Sequence, residues 1–361
     1  MTQYRNLSSA LQGALTEIET TGSEVLARGQ NQREIIGYRT TMTSPQERVV
    51  VLPGRKNNIF AQIAETLWVL AGRDDMDFLS RYLPRAVDFS DNGTTWRAAY
   101  GPRLRKWNGQ VDQLAGVLQR FHEDINTKRA VASIYDPASD FVDSKDVPCN
   151  NWLNFIQRDG RLHLNVSVRA NDAIWGFSGI NVFEWSVTLE LIAASLGLAV
   201  GELNWFVGSM HVYERHYSVA RRITSNAPVE SPYHYGVRSL PILSTLDAFD
   251  HGIVGLLEVE SQFRRGNYSA TVDLSDPFLD GCEQMLRIHN MHLNGVSQAQ
   301  IVDVIGRLPA SDFRIGAIEF FARKWDLAAF RELSLTPSER AFLSYHANLV
   351  VAENLLHEVS V

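Results

Sequence analysis

Cysteine is scarce in this chain. Only Cys149 and Cys282 occur; they form neither a metal spacing nor a disulfide framework, and a reducing compartment fits. A basic excess is also lacking: 34 Lys and Arg stand against 41 Asp and Glu, a formal net charge of -7. A protein that grips nucleic-acid polymer carries the opposite balance, so such a partner is disfavoured, while a small anion held by a local arginine cluster is not. No apolar run is long enough to span a bilayer. The start, Met1 to Gly22, has no signal-type apolar core, and the expectation is a cytoplasmic protein without a membrane partner. Repeats and low-complexity linkers are missing too. What is present is a globular composition: 361 residues, 45% hydrophobic and 21% charged, enough for a sizeable core in one large domain or two ordinary ones.

Leu11 to Leu26 reads as an amphipathic helix. In Ile59 to Ala71 (IFAQIAETLWVLA) the apolar residues cover nearly the whole circumference, which predicts a buried helix stopped by Gly72. Arg129 to Tyr135 suits a buried strand ended by Asp136-Pro137. From Leu162 to Arg169, apolar and polar residues alternate, the mark of a strand with one dry face. Asp159-Gly160 before it is a two-residue hairpin turn. That turn pairs Arg158 with Arg161 and, counting outward, Asn150 with Arg169, leaving Cys149 beside Arg169 and Ala170. Val182 to Gly197 predicts another helix and Trp205 to Val212 another strand. Past Arg222 the signals weaken, and the C-terminal part reads as helical. Thr336-Pro337-Ser338-Glu339 forms a capping box that opens a helix towards the C-terminus.

A lone cysteine is usually a core residue, but Cys149 follows Pro148 and lies next to a guanidinium, the setting of a thiolate nucleophile. Arg169 suits a surface ion pair, or a phosphate clamp. Glu65 has few polar neighbours inside its apolar helix, which raises a carboxyl's pKa and suits proton transfer. His211 and Tyr213 alternate on a strand and point to one face. Asp172 and Gly176 follow in a turn.

Taken together, PCNNWLNFIQRDGRLHLNVSVRANDAIWGF, INVFEW and GSMHVYERHY resemble the thymidylate synthase family in the order and spacing of Cys, Arg, Asp, Gly, Asn and His-x-Tyr. One extra residue is needed near Ser178 to Ile180. AETLWVLAG, AAYGPRLRKW and TKRAVASIYDP add to the likeness, which runs patchily from about Arg28 to His216. The resemblance implies an α+β fold: a large, mostly antiparallel sheet layered with helices and paired back to back as a homodimer. It implies catalysis by Cys149 adding to carbon 6 of a pyrimidine nucleoside monophosphate, with Glu65, Tyr100 and Asn150 around it. Methylenetetrahydrofolate is the implied co-substrate, held by Asp172 with Gly176, and no metal is called for. Arg169 would bind phosphate, helped by Arg33 or Arg28. Lys128 and Arg129 would reach the partner's phosphate site. His211 and Tyr213 would hold the sugar, and Asn181 the base edge.

Departures from the family sharpen the expectation. Asn150 stands where synthases have His, and RAVDFSDNG lacks two tryptophans that wall in the one-carbon unit. The chain end, LHEVSV, lacks the usual closing tail. All three point to a hydroxymethyl rather than a methyl product. Ala170 in place of Ser and Lys128 in place of Arg make room for a ribose hydroxyl. RANDAIWGF and GSMHVYERH resemble a phage deoxycytidylate hydroxymethylase, and the chain as a whole is most similar to cytidylate hydroxymethylases of nucleoside-antibiotic pathways, so CMP is the expected substrate. Asn181 keeps UMP and dUMP open, because an amide can turn to suit either base. The rivals are a thymidylate synthase or uridylate hydroxymethylase, a thiol hydrolase using Cys149, and a non-catalytic nucleotide-binding homologue. The catalytic domain is expected over 1–281, with a helical extension over 282–361.

Overall fold

The computed structural model describes residues 2–225, 227–325 and 327–359, with residue 327 and the last nine by backbone alone. The expectation built on the terminal LHEVSV falls outside the residues whose side chains are described.

Among the described residues, seven strands form one mixed sheet. They are β1 (Thr2–Tyr4), β2 (Ser23–Ala27), β3 (Gln30–Met42), β4 (Val131–Ser133), β5 (Asn150–Arg158), β6 (Arg161–Asp172) and β7 (Ala199–Tyr213). The order is β1-β3-β7-β6-β5-β4, with β2 paired to β3. β6 and β7 run parallel, joined through the helical stretch 173–195; β5–β6 and β3–β7 are antiparallel. The fold is the α+β arrangement expected.

Asp159 and Gly160 both take positive φ (52° and 73°), as a type I′ turn requires. Arg158 pairs with Arg161 as the turn dictates, but a bulge between Asn150 and Trp152 shifts the end of the ladder, so Asn150 faces Val168 and not Arg169. The first helix runs Leu7–Thr21, earlier than the periodicity suggests, capped by Asn6 and ended at Gly22. Val25 and Leu26 belong to strand β2, exposed at 36% and 68%.

The Ile59–Leu70 helix is buried along its whole length, and Gly72 follows its Ala71 cap at φ 71°. Trp68, Trp185 and Trp205 are among the largest fully buried side chains, each contributing about 2–3 kcal/mol of hydrophobic burial. The later helices, Leu246–Arg264, Pro277–Leu293, Gln298–Arg307, Asp312–Ala322 and Pro337–Val359, continue the same core. Phe60 packs edge-on against Phe320 at 4.9 Å. Arg48, fully buried, donates to Glu190 at 2.6 Å and lies over the Phe278 ring. The C-terminal helices thus brace the Glu65 helix from behind. Residue 282, the expected boundary, lies within the Pro277–Leu293 helix. Thr336 and Glu339 make the reciprocal cap. No helix among the described residues is long and apolar enough to cross a membrane.

Candidate active site

The topology brings four chain segments to one end of the sheet. β5 begins there, while β6 and β7 end there side by side, with Ala170 opposite Ser209 and Asp172 opposite His211. The β2–β3 hairpin reaches the same edge, Gln32 pairing with Tyr213.

Cys149 sits just ahead of β5. Its carbonyl accepts from the Arg169 backbone N–H at 2.8 Å, the pairing that the bulge creates. The Arg169 guanidinium is fixed by the carbonyls of Pro148 (2.8 Å) and Val147 (2.6 Å), and its Nη2 lies 3.6 Å from the Cys149 Sγ. Burial pushes the thiol pKa up, while Arg169 and Arg28 pull it down without overcoming that and Asp146 adds to the rise. The resting group is therefore a thiol, in contrast to the thiolate that proximity to Arg169 alone suggests.

Asn150 is fully buried and held at both ends of its amide. Its Nδ2 donates to the Tyr100 hydroxyl at 2.8 Å, and its Oδ1 accepts from the Trp185 indole at 3.1 Å. An indole N–H only donates, so this orientation is fixed. The Tyr100 ring leans on Trp185 at 5.6 Å.

Glu65 is 9% exposed, and burial, with Asp146 adding, pushes its pKa up to about 8. Among the described residues its carboxyl makes no hydrogen bond. Two further acids accompany it, and the sequence reading missed both. Asp146 accepts from the Trp96 indole at 2.9 Å, and its charge acts on Glu65, Cys149 and Tyr100. Glu184 is fully buried, neither carboxyl oxygen has a partner among the described residues, and burial and then Glu65 hold it well above the usual carboxylate range. Glu184 carries the same sequence signal as Glu65, an acid inside an apolar helix; Asp146, in a loop, carries none. The segment without tryptophans, residues 85–93, begins in a 3-10 helix, Pro84–Phe89, whose Phe89 stacks on Trp96 at 5.9 Å.

His211 is 6% exposed, its Nδ1 faces the Ser209 carbonyl at 3.3 Å, and its Nε2 has no partner among the described residues. A carbonyl only accepts, so Nδ1 carries a proton, and Nε2 is left facing the space where a ligand hydroxyl can meet it. The Tyr213 ring meets His211 edge-on at 4.9 Å. Arg28 and Arg33 separate. Arg28 occupies the β2–β3 turn at φ 50°, donates to the Lys145 carbonyl at 3.2 Å and acts on Cys149 and Tyr213. A left-handed arginine costs about 1 kcal/mol, strain of the kind found at functional sites. Arg33 is not brought to the cluster: it faces Glu24 across the ladder and pairs with it at 2.8 Å, over the Tyr217 ring. Lys128 and Arg129 are exposed ahead of β4, and neither forms an ion pair among the described residues.

Asp172 caps the turn that follows β6, accepting from the Ile174 N–H at 3.0 Å. That turn, Ala173–Asn181, is a π-helix. A π-helical turn is how a helix takes in an added residue, and the extra residue expected near Ser178 to Ile180 lies within it. Arg55, unremarked in the sequence, crosses the turn to the Ile174 carbonyl (2.6 Å) and the Ser178 hydroxyl (3.1 Å). Burial lowers its pKa to about 10, and it stays charged at neutral pH. Trp175 is 50% exposed on the turn. No group of three or more His, Cys, Asp or Glu among the described residues is arranged to hold a metal ion.

Comparison with known proteins gives the family. Residues 10–245 match the family model described as Thymidylate synthase. A deoxyuridylate hydroxymethyltransferase of Bacillus phage SP01 is 39% identical over 56% of this chain and 56% of its own length. One of Delftia phage PhiW-14 is 33% identical over 58% of this chain and 60% of its own. One of Pseudomonas phage M6 is 31% identical, covering 67% and 72%. The match thus spans less than two thirds of the first two relatives.

Proposed function

The chain belongs to the thymidylate synthase family, and from that premise we propose that it transfers a one-carbon unit from methylenetetrahydrofolate to carbon 5 of a pyrimidine nucleoside monophosphate, leaving a hydroxymethyl group. The observation that carries this reading is the Cys149 thiol lying 3.6 Å from a guanidinium fixed by backbone carbonyls, at the sheet end where Arg28, His211 and Tyr213 also gather.

Cys149, on losing its proton, adds to carbon 6 and pushes electron density to carbon 5, so that one hard step becomes two easier ones. Arg169 stabilises the sulfur anion and offers its remaining N–H groups to phosphate, with Arg28 beside it. Glu65, neutral below about pH 8, gives and takes protons through water. The His211 Nε2 accepts from a sugar hydroxyl. The flat, half-exposed Trp175 and the Asp172 carboxylate fit a pterin rich in N–H groups. The co-substrate supplies its carbon at the oxidation level of formaldehyde. Carbon 5 bonds to that carbon and loses its proton to a base, the folate nitrogen leaves the carbon as the amine of tetrahydrofolate, water adds in its place to give CH2OH, and the Cys149 sulfur departs from carbon 6. Asp146, with one oxygen held by Trp96 and its charge acting on Cys149 and Glu65, would hold that water.

The names of the phage relatives support dUMP as the nucleotide. CMP is the second reading, favoured by the small Ala170 in register with Ser209 and by Lys128. Pairing as a homodimer, with Lys128 and Arg129 serving the partner's phosphate site, belongs to the same proposal. It is supported by the outward sheet face, where Asn154, Asn165, Asn204 and Thr41 form a hydrogen-bonded ladder beside the 37% exposed Trp152. The test is incubation of CMP, dCMP, UMP and dUMP with methylenetetrahydrofolate, read by product mass. A hydroxymethyl gain on dUMP is expected. A methyl gain would make the chain a synthase, and a gain on CMP alone would transfer the assignment to the second reading.

A further inference from the structure

Asn181 closes the π-helical turn, and its amide is not free to rotate. Trp205 donates its indole N–H to Asn171 Oδ1 at 3.2 Å, and Asn171 Nδ2 donates to Asn181 Oδ1 at 3.0 Å. The direction of this relay follows from chemistry. An indole N–H can only donate, so Asn171 must turn its oxygen to Trp205 and its nitrogen to Asn181, and Asn181 must then present its oxygen. All three residues are buried: Trp205 0%, Asn171 2% and Asn181 7% exposed. The indole is itself pinned by Phe177, edge-on at 5.8 Å. Gly176 belongs to the same arrangement. A Cβ there would stand 2.5 Å from Asn171 Nδ2 and 3.3 Å from Asn181 Oδ1, so glycine is what lets the turn close over the amide pair. Turning the Asn181 amide round would set its N–H groups against those of Asn171 and leave a buried donor unpaired, a costly state.

We propose that Trp205 and Asn171 are positioning residues that lock the Asn181 amide with its N–H pair facing the substrate, and that this lock selects uracil over cytosine. The inference rests on the reading above, in which Asn181 meets the base edge. Because carbon 6 must reach Cys149, the ring docks in one way, and the order of groups along its edge is fixed in space. Uracil presents a ring N–H followed by a carbonyl. Cytosine presents a bare ring nitrogen followed by an amine, the inverse pattern. An amide free to turn reads both; a locked one complements one and opposes the other. The Asn181 N–H pair has no partner among the described residues, and the uracil 4-oxo group is the acceptor it lacks. The cytosine amine would meet donor with donor.

The test is Asn171→Asp, which is isosteric but accepts where asparagine donates. It draws the Asn181 N–H groups inward and turns the oxygen to the base, while the Trp205 N–H keeps an acceptor. Measured with dUMP and dCMP, each with methylenetetrahydrofolate, the ratio of kcat/KM values should fall by about 10-fold or more and move towards cytosine. Trp205→Phe removes the N–H that anchors the relay, together with part of the buried ring; it should narrow the ratio while any packing loss lowers both substrates alike, and it serves should the buried aspartate prevent folding. Structural damage would lower both substrates together and leave the ratio unchanged, and an unchanged ratio in both variants would overturn the relay. Calorimetric titration of the wild type with the two nucleotides separates the other failure: if it binds neither, the base-reading role of Asn181 falls, and the relay's function with it.

Discussion

Glu65→Gln isolates the cost of keeping a carboxyl in the apolar helix. Burial, with Asp146 adding, moves this group from an ordinary value near 4.5 to about 8. In that window the folded chain holds a proton that the unfolded chain has lost, so stability falls as pH rises from about 4.5 to about 8 and levels off above it. At about 1.4 kcal/mol for each tenfold, the full displacement corresponds to at most about 5 kcal/mol; water reaching the 9% exposed edge reduces it. Glutamine is neutral throughout and nearly isosteric. The variant and the wild type should therefore unfold alike near pH 5, and the variant should be more stable by a few kcal/mol near pH 9. Urea denaturation at pH 5, 6, 7, 8 and 9 reads the difference, in which the other titrating groups largely cancel. Parallel profiles across the range would refute the reasoning, since they would mean that Glu65 ionises at its ordinary value.

Two other outcomes follow from the same geometry. Glu184→Gln replaces a buried carboxyl that is without a partner among the described residues and is held well above the usual carboxylate range, and it should change stability at pH 7 by less than about 1 kcal/mol; a thermal melt showing a loss of several kcal/mol would mean that the carboxyl is ionised and paired. Ala170→Ser combined with Lys128→Arg should shift preference towards deoxynucleotides by several-fold, read as kcat/KM for dCMP against CMP and for dUMP against UMP, and an unchanged ratio would remove these two positions from sugar selection.

The parts of the site governed by residue type were legible in the sequence. Asp159-Gly160 admits one turn, and that turn carries Cys149 to Arg169 whatever lies between. The bulge at Asn150 was not legible, because Tyr100 and Trp185 hold the amide and both are distant in the chain. The choice between Arg28 and Arg33 needed the β2–β3 register, which sets Arg33 against Glu24. The helix expected over Leu11 to Leu26 ran on because Val25 and Leu26 fit its period, although Gly22 stands between. Glu184 was within reach, since VFEWSVTLELIAAS repeats the pattern that singled out Glu65. In the sequence alone the Asn181 amide is free to turn; its lock depends on Trp205 and Asn171, which the parallel pairing of β6 and β7 brings together.

The central claim is that Cys149 bonds covalently to the pyrimidine while the one-carbon unit is delivered. Intact-protein mass spectrometry after incubation with 5-fluoro-dUMP and methylenetetrahydrofolate tests it directly, because fluorine at carbon 5 cannot leave as a proton does and the adduct stalls. The account predicts a mass gain equal to nucleotide plus co-substrate, located on the peptide that carries Cys149 and absent from Cys149→Ala, which should still bind the nucleotide. Normal turnover of dUMP by Cys149→Ala, or an adduct on any other residue, would contradict it.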